Sequence, residues 1–150
     1  MKHLRLAAVT ALAFGAGLAV AHLPLPAGAD PQPLAPAAID IGAVTPNDLP
    51  PPSAASPNMR SRTLVTTEGA TVAVQIGTVF KHYHAGANEI QYIVSGGGTE
   101  WLGDQQVALH PGLLLIIPAG TPHGGTTDPA IKYLSIKTPP QAPTDTHPIP

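Results

Sequence analysis

The 150-residue chain reads as an all-β protein, a small antiparallel double-sheet jelly-roll barrel flanked by proline-rich arms. Three observations predict this. Short apolar runs punctuated by glycines follow one another from residue 62 to residue 138, several with the two-residue period of strands that bury alternate side chains. No segment repeats its apolar residues with the helical period of about 3.6. Of the 19 prolines, ten lie between Pro24 and Pro57 and five between Pro139 and Pro150, leaving four for the 81 residues between. Proline has no amide hydrogen to donate and interrupts sheets, so the ends are arms and the middle is the folded unit.

From the start of the chain, residues 1–5 carry Lys2 and Arg5 and precede the apolar run 6–20. A bilayer span takes about 20 residues, so the run is short for one. A basic head, an apolar middle and a small-x-small site read instead as a secretory signal peptide over residues 1–29, cut after Ala29. A cut after Ala21 also fits, but Pro24 and Pro26 suit a helix-breaking region before the later site. The chain is therefore expected to be secreted or periplasmic, with no stable membrane anchor. Residues 30–61 form the leading arm, 62–138 the barrel and 139–150 the tail. Within the leading arm, 38–44 either adds an edge strand or belongs to a disordered Pro/Ala linker.

Composition narrows the function. There is no cysteine, which removes disulfides, thiolate zinc sites and a lipoprotein anchor. Without the signal segment the chain carries five basic and nine acidic residues and no basic cluster, so a nucleic-acid partner is not expected. The remaining length, about 120 residues, suits one domain with one core.

The strands follow in order. Residues 71–76 alternate, placing Val72, Val74 and Ile76 on one face, in phase with Phe80, His82 and His84 if the chain passes Gly77 without a bulge. Residues 89–94 put Glu89, Gln91 and Ile93 on one face and Ile90, Tyr92 and Val94 on the other. Residues 99–102 and 105–109 make a hairpin about Gly103-Asp104. Residues 113–117 are apolar on both faces, and 130–137 form the last strand.

His82 and His84, two apart in an extended segment, point the same way and form a natural chelate. Glu89 follows a glycine-containing loop and can swing back over that face, and His123 comes straight after the turn Pro118-Ala-Gly-Thr-Pro122. Three imidazoles and a carboxylate suit one divalent ion, with Fe, Mn, Cu, Ni and Zn all compatible. The plainer alternative is a metal-free polar cluster held by hydrogen bonds.

The pattern His-x-His-x4-Glu-x6-Gly from His82 to Gly96, with Gly112-x5-Pro118-x-Gly120-x2-His123, resembles the two motifs of the cupin superfamily. The resemblance spans roughly residues 70 to 137 and implies a cupin barrel with His82, His84, Glu89 and His123 as metal ligands. It also implies a small-molecule substrate or ligand, with dioxygenase, decarboxylase, lyase or isomerase chemistry. A non-catalytic metal- or ligand-binding module is the alternative.

Gln91 and Glu100 are the candidate catalytic helpers. Gln91 shares the face of Glu89, while Glu100 and Trp101 alternate, so one of the two faces inward. Phe80, Ile93 and Val74 suggest an apolar pocket, with no Lys or Arg in phase with the ligands. Tyr83 and Tyr92 read as packing residues, His110 as a turn residue, and Asp145 and His147 as tail residues outside the site. Ile90, Tyr92 and Val94, with part of 113–117, would leave an exposed apolar patch, which predicts a homodimer unless the leading arm covers it.

Overall fold

The computed structural model describes residues 33–150; the expected signal peptide with both cleavage positions lies outside them. Among the described residues, ten strands make two five-stranded antiparallel sheets. The first has the order β1 (Met59–Thr66), β2 (Thr71–Gly77), β9 (Lys132–Thr138), β4 (Asn88–Ser95), β7 (Leu114–Ile117). The second has the order β10 (His147–Pro148), β3 (His82–Tyr83), β8 (His123–Gly124), β5 (Thr99–Leu102), β6 (Gln105–Ala108). This is the double-sheet jelly roll. The β5–β6 hairpin turns at Gly103-Asp104, as its sequence requires, with Gly103 at φ +61°.

Directly opposed residues of an antiparallel pair share a face. Glu89 lies opposite Lys137 and Ile117, Gln91 opposite Ser135 and Leu115, and Ile93 and Gln75 opposite Tyr133. These residues line the barrel interior, whose apolar half is a cluster of Ile93, Leu109, Leu115, Ile117, Ile131 and Tyr133.

Val74 is on the other face. It is fully buried, in a second cluster with Leu49 and Ile76 against which Ile41, Val44, Leu64 and Leu134 pack. The expected phase between 71–76 and the histidines fails at Gly77, where φ is +119° and the Cβ of any other residue would lie 2.2 Å from the Asn58 carbonyl oxygen. Alternation does not carry across such a break, so Gln75 rather than Val74 faces the site.

The leading arm covers this outer face without forming a strand over 38–44. Lys132 Nζ donates to the carbonyls of Ile41 (3.1 Å) and Gly42 (2.7 Å), and Arg60 reaches the Leu49 carbonyl (3.3 Å). β1, beginning at Met59, already occupies the sheet edge beside β2. The tail also returns to the domain, pairing His147 with Tyr83 and Pro148 with His82. No helix among the described residues is long and apolar enough to cross a membrane.

Candidate metal centre

The site bridges the two sheets. β4 contributes Glu89, β3 contributes His82 with His84 just beyond it, and β8 sets His123 opposite His82. Each offers one ligating atom within 4.8 Å of the others, and all four residues are buried. Among the described residues this is the one such group.

Backbone carbonyls fix how the imidazoles face. His82 Nδ1 meets the Phe80 carbonyl at 2.8 Å, His123 Nδ1 meets that of Thr121 at 2.9 Å, and His84 Nδ1 meets that of Asp145. A carbonyl oxygen can only accept, so each Nδ1 carries the proton and each Nε2 presents its lone pair inward. Glu89 Oε2 lies 3.1 Å from His84 Nε2 and 3.2 Å from His123 Nε2. Lone pairs facing a carboxylate need either protons or a cation between them.

Protons are the poorer solution. The ring centroids lie 4.3 to 5.2 Å apart, so imidazolium charges would repel one another. Burial, then the neighbouring His123, lowers the pKa of His82 to about 4. Glu89 provides the anionic pole. Burial pushes its carboxyl up, but the contacts with His123 and His84 and the Lys137 charge outweigh that and hold it well below the usual carboxylate range. The donor set therefore fits a divalent cation shared by all four residues.

Other groups fix Glu89. Ser135 Oγ donates to Oε1 at 2.6 Å, Gln91 Nε2 donates to Oε1 at 3.2 Å, and Lys137 Nζ stands 3.7 Å from Oε2. Gln91 thus orients Glu89, while its own Oε1 has no partner. Lys137 corrects the expectation that no basic side chain shares the ligand face: β4–β9 register sets it opposite Glu89.

Between Glu100 and Trp101, the inward residue is Glu100, which shares its face with Leu102 and, across the β5–β8 pair, His123. Trp101 turns outward under Lys81, whose Nζ is 4.3 Å from the ring centroid. Neither Glu100 carboxylate oxygen has a well-formed hydrogen bond, and burial pushes its pKa up to about 7 against the opposing pull of His123 and the nearby Gly124 amide.

Phe80, Ile93 and Val74 do not gather into the expected apolar pocket. Val74 belongs to the outer cluster, Ile93 to the core, and Phe80 is 39% exposed. The cavity at His82, His84 and Glu89 holds about 50 Å³ and is lined largely by polar side chains, among them Gln75, Gln91, Lys137 and Thr146. Beside it, sharing Ser56 and Val79, lies a groove of about 300 Å³ bounded by Asn58, Thr78, Phe80 and Thr126.

The tail enters the site, contrary to its reading as a remote arm. Besides holding His84 through the Asp145 carbonyl, it brings Thr146 to the cavity and stacks His147 on Tyr83 at 4.8 Å. Proline content marks the tail as a poor sheet former, but conceals that His147 and Pro148 add a short edge strand beside β3 and that Asp145 and Thr146 reach the site.

Comparisons with known proteins agree with this architecture. The family model described as "Cupin domain" matches residues 70–137. The structure of KdgF from Halomonas sp. is similar with a TM-score of 0.52 and 20% identity, over 58% of this chain and 84% of that one. An RmlC-like cupin from Shewanella frigidimarina gives 0.51 and 17%, over 59% and 80%. Streptomyces Pac13, in a variant solved with uridine, gives 0.52 and 16%, over 62% and 79%. No curated protein sequence matches the chain. With both histidine motifs inside the matched segment and two sheets closing around them, residues 70–137 carry a domain of the cupin superfamily.

Proposed function

We propose that the chain is an exported, mononuclear metal-dependent cupin acting on a small organic molecule, by oxygen-dependent or isomerase/lyase-type chemistry. The reading is carried by the gathering of three buried imidazoles and the Glu89 carboxylate, whose ligand atoms lie within 4.8 Å of one another, with His84 Nε2 and His123 Nε2 against Glu89 and every Nδ1 tied to a carbonyl. His82, His84, Glu89 and His123 hold the ion, and Fe, Mn, Cu, Ni and Zn all suit the donors. A bound ion there supplies Lewis acidity and, for a redox metal, electrons. The chain's own residues do the rest. Gln91, Ser135 and Lys137 hold the Glu89 carboxylate in place. Glu100, with its pKa near 7, can hold or release a proton at neutral pH within the same interior. The groove along Phe80 and Thr126 gives a small ligand room that the ligand cavity lacks.

Metal analysis of protein purified from its native compartment, followed by oxygen uptake and turnover screens on small organic acids and phenols, tests this directly. Replacing His84 with Ala is expected to remove the stoichiometric metal while leaving the far-ultraviolet signature of a β-protein. A full equivalent of metal in that variant would overturn the ligand assignment. The 50 Å³ cavity favours a second reading, a non-catalytic metal-binding module, because few organic substrates could reach the ion through it. Tight stoichiometric metal with no turnover across the panel would select that reading. We place the protein in the periplasm or outside the cell, as a homodimer joined through the outer face of β4 and β7.

A further inference from the structure

Asp145 lies in the tail, yet it makes four contacts around one ligand. Its carbonyl accepts from His84 Nδ1, 61 residues away in sequence. Its carboxylate accepts from the amides of Ala85 (2.6 Å) and Gly86 (3.0 Å), the turn that follows His84. Its Oδ1 also meets His147 Nε2 at 3.1 Å, and His147 stacks on Tyr83, the residue before His84. From outside, Gln141 Nε2 donates to the same Asp145 carbonyl at 3.0 Å and to Thr146 Oγ1 at 2.6 Å. Gln141 Oε1 in turn accepts from Lys137, which faces Glu89.

The carbonyls that orient His82 and His123 come from residues two positions before each ring, so strand formation alone sets them. His84 has no such local carbonyl partner; its orienting group arrives from the far end of the chain. We propose that Asp145 is a positioning residue for the metal centre. Its carboxylate docks the tail on the Ala85–Gly86 amides, and this docking fixes the carbonyl that turns His84 Nε2 toward the ion. Metal affinity then depends on the tail being seated. Because Thr146 lines the ligand cavity, unseating the tail both widens access and frees a ligand.

The proposal rests on reading the four residues as metal ligands, and its test separates the two claims. Full-length protein carrying Asp145→Ala or Asp145→Asn is compared with the unaltered chain. The control is Asp128→Ala, which removes a carboxylate that also accepts from two backbone amides, Gly97 and Ala130, both at 2.8 Å, on a different turn. In metal-free protein, nitrogen-15 spectra of the imidazoles report the His84 tautomer. A fully protonated His84 Nδ1 is expected in the unaltered chain and in Asp128→Ala, whatever Nε2 carries, and partial loss of the Nδ1 proton through tautomer exchange in Asp145→Ala. With Co²⁺ as probe, Asp145→Ala is expected to lose about 10- to 100-fold in affinity, the usual range for groups that orient metal-bound histidines, and to change the visible spectrum. Asp145→Asn, which keeps one amide acceptor, should fall between.

An unchanged tautomer with unchanged Co²⁺ affinity in Asp145→Ala would overturn the proposal. So would an equal loss in Asp128→Ala, since general destabilisation would then explain both. If even the unaltered chain fails to bind Co²⁺, the metal reading fails, and the tautomer comparison still decides whether Asp145 orients His84.

Discussion

Glu100 places an ionisable oxygen pair in the barrel interior with no well-formed hydrogen bond to either atom, the Gly124 amide being the one donor close enough to draw its pKa down. Burial raises its pKa from 4.5 to about 7, so between those values the folded chain binds more protons than the unfolded one. Stability must then fall as pH rises through that window, and the shift corresponds to about 3 kcal/mol. His82 works in the opposite sense. Its pKa is lowered from 6.5 to about 4, so the metal-free protein loses stability as pH drops through that range. The two trends offset where the windows overlap. Glu100→Gln, which cannot ionise, is expected to match the metal-free native protein at the acid end and to exceed it by about 3 kcal/mol above neutrality. Urea denaturation across pH checks this, and parallel curves for the two proteins would mean that Glu100 carries no extra proton in the fold.

At the scale of elements, β8 is only two residues long, yet it presents His123 and closes on the segment that holds His82. The approach is possible because of Gly124, at φ +92°, where a Cβ would lie 2.5 Å from the Phe80 carbonyl oxygen and 3.1 Å from His82 Nδ1. Gly112 has a similar φ of +87° but nothing within 4 Å of its Cβ position. Gly112→Ala should therefore cost only backbone strain, about 1–2 kcal/mol. Gly124→Ala should cost more and also weaken Co²⁺ binding, because it displaces the carbonyl that orients His82. Thermal unfolding and metal titration of the two variants separate these effects, and equal losses at both would reduce the role of Gly124 to conformation alone. Such close approaches also explain what the sequence could and could not disclose. The hairpin about Gly103-Asp104, the alternation of Glu89, Gln91 and Ile93, and the meeting of the three histidines with Glu89 are readable because each depends on spacing within a strand or a motif. The position of Val74 is not, because phase is lost at Gly77. Lys137 and Ser135 reach Glu89 through the pairing of β4 with β9, and Asp145 reaches His84 across a gap that no local pattern records.

At the scale of the molecule, the outer face of the first sheet is divided. Over β2 and β9 the leading arm lays Ile41, Val44 and Leu49 on Val74, Ile76 and Leu134. Over β4 and β7 the opposed pairs Ile90–Ile116 and Tyr92–Leu114 continue the apolar surface to the sheet edge. There Ile116 is 66% exposed, Leu114 52% and Tyr92 42%. The described part of the arm is already committed to the neighbouring strands, so a second copy of the chain is the cover that the proposed homodimer supplies. A stable pairing typically buries about 800 Å² per partner, more than these four side chains offer, so the contact would extend beyond them along β7 and β4. Ile116→Glu sets a charge at the centre of that contact while its side chain points away from the barrel interior. Sedimentation is expected to find the native protein as a dimer and the variant as a monomer with unchanged metal content. A native chain that sediments as a monomer at high concentration would instead leave the patch to a different partner.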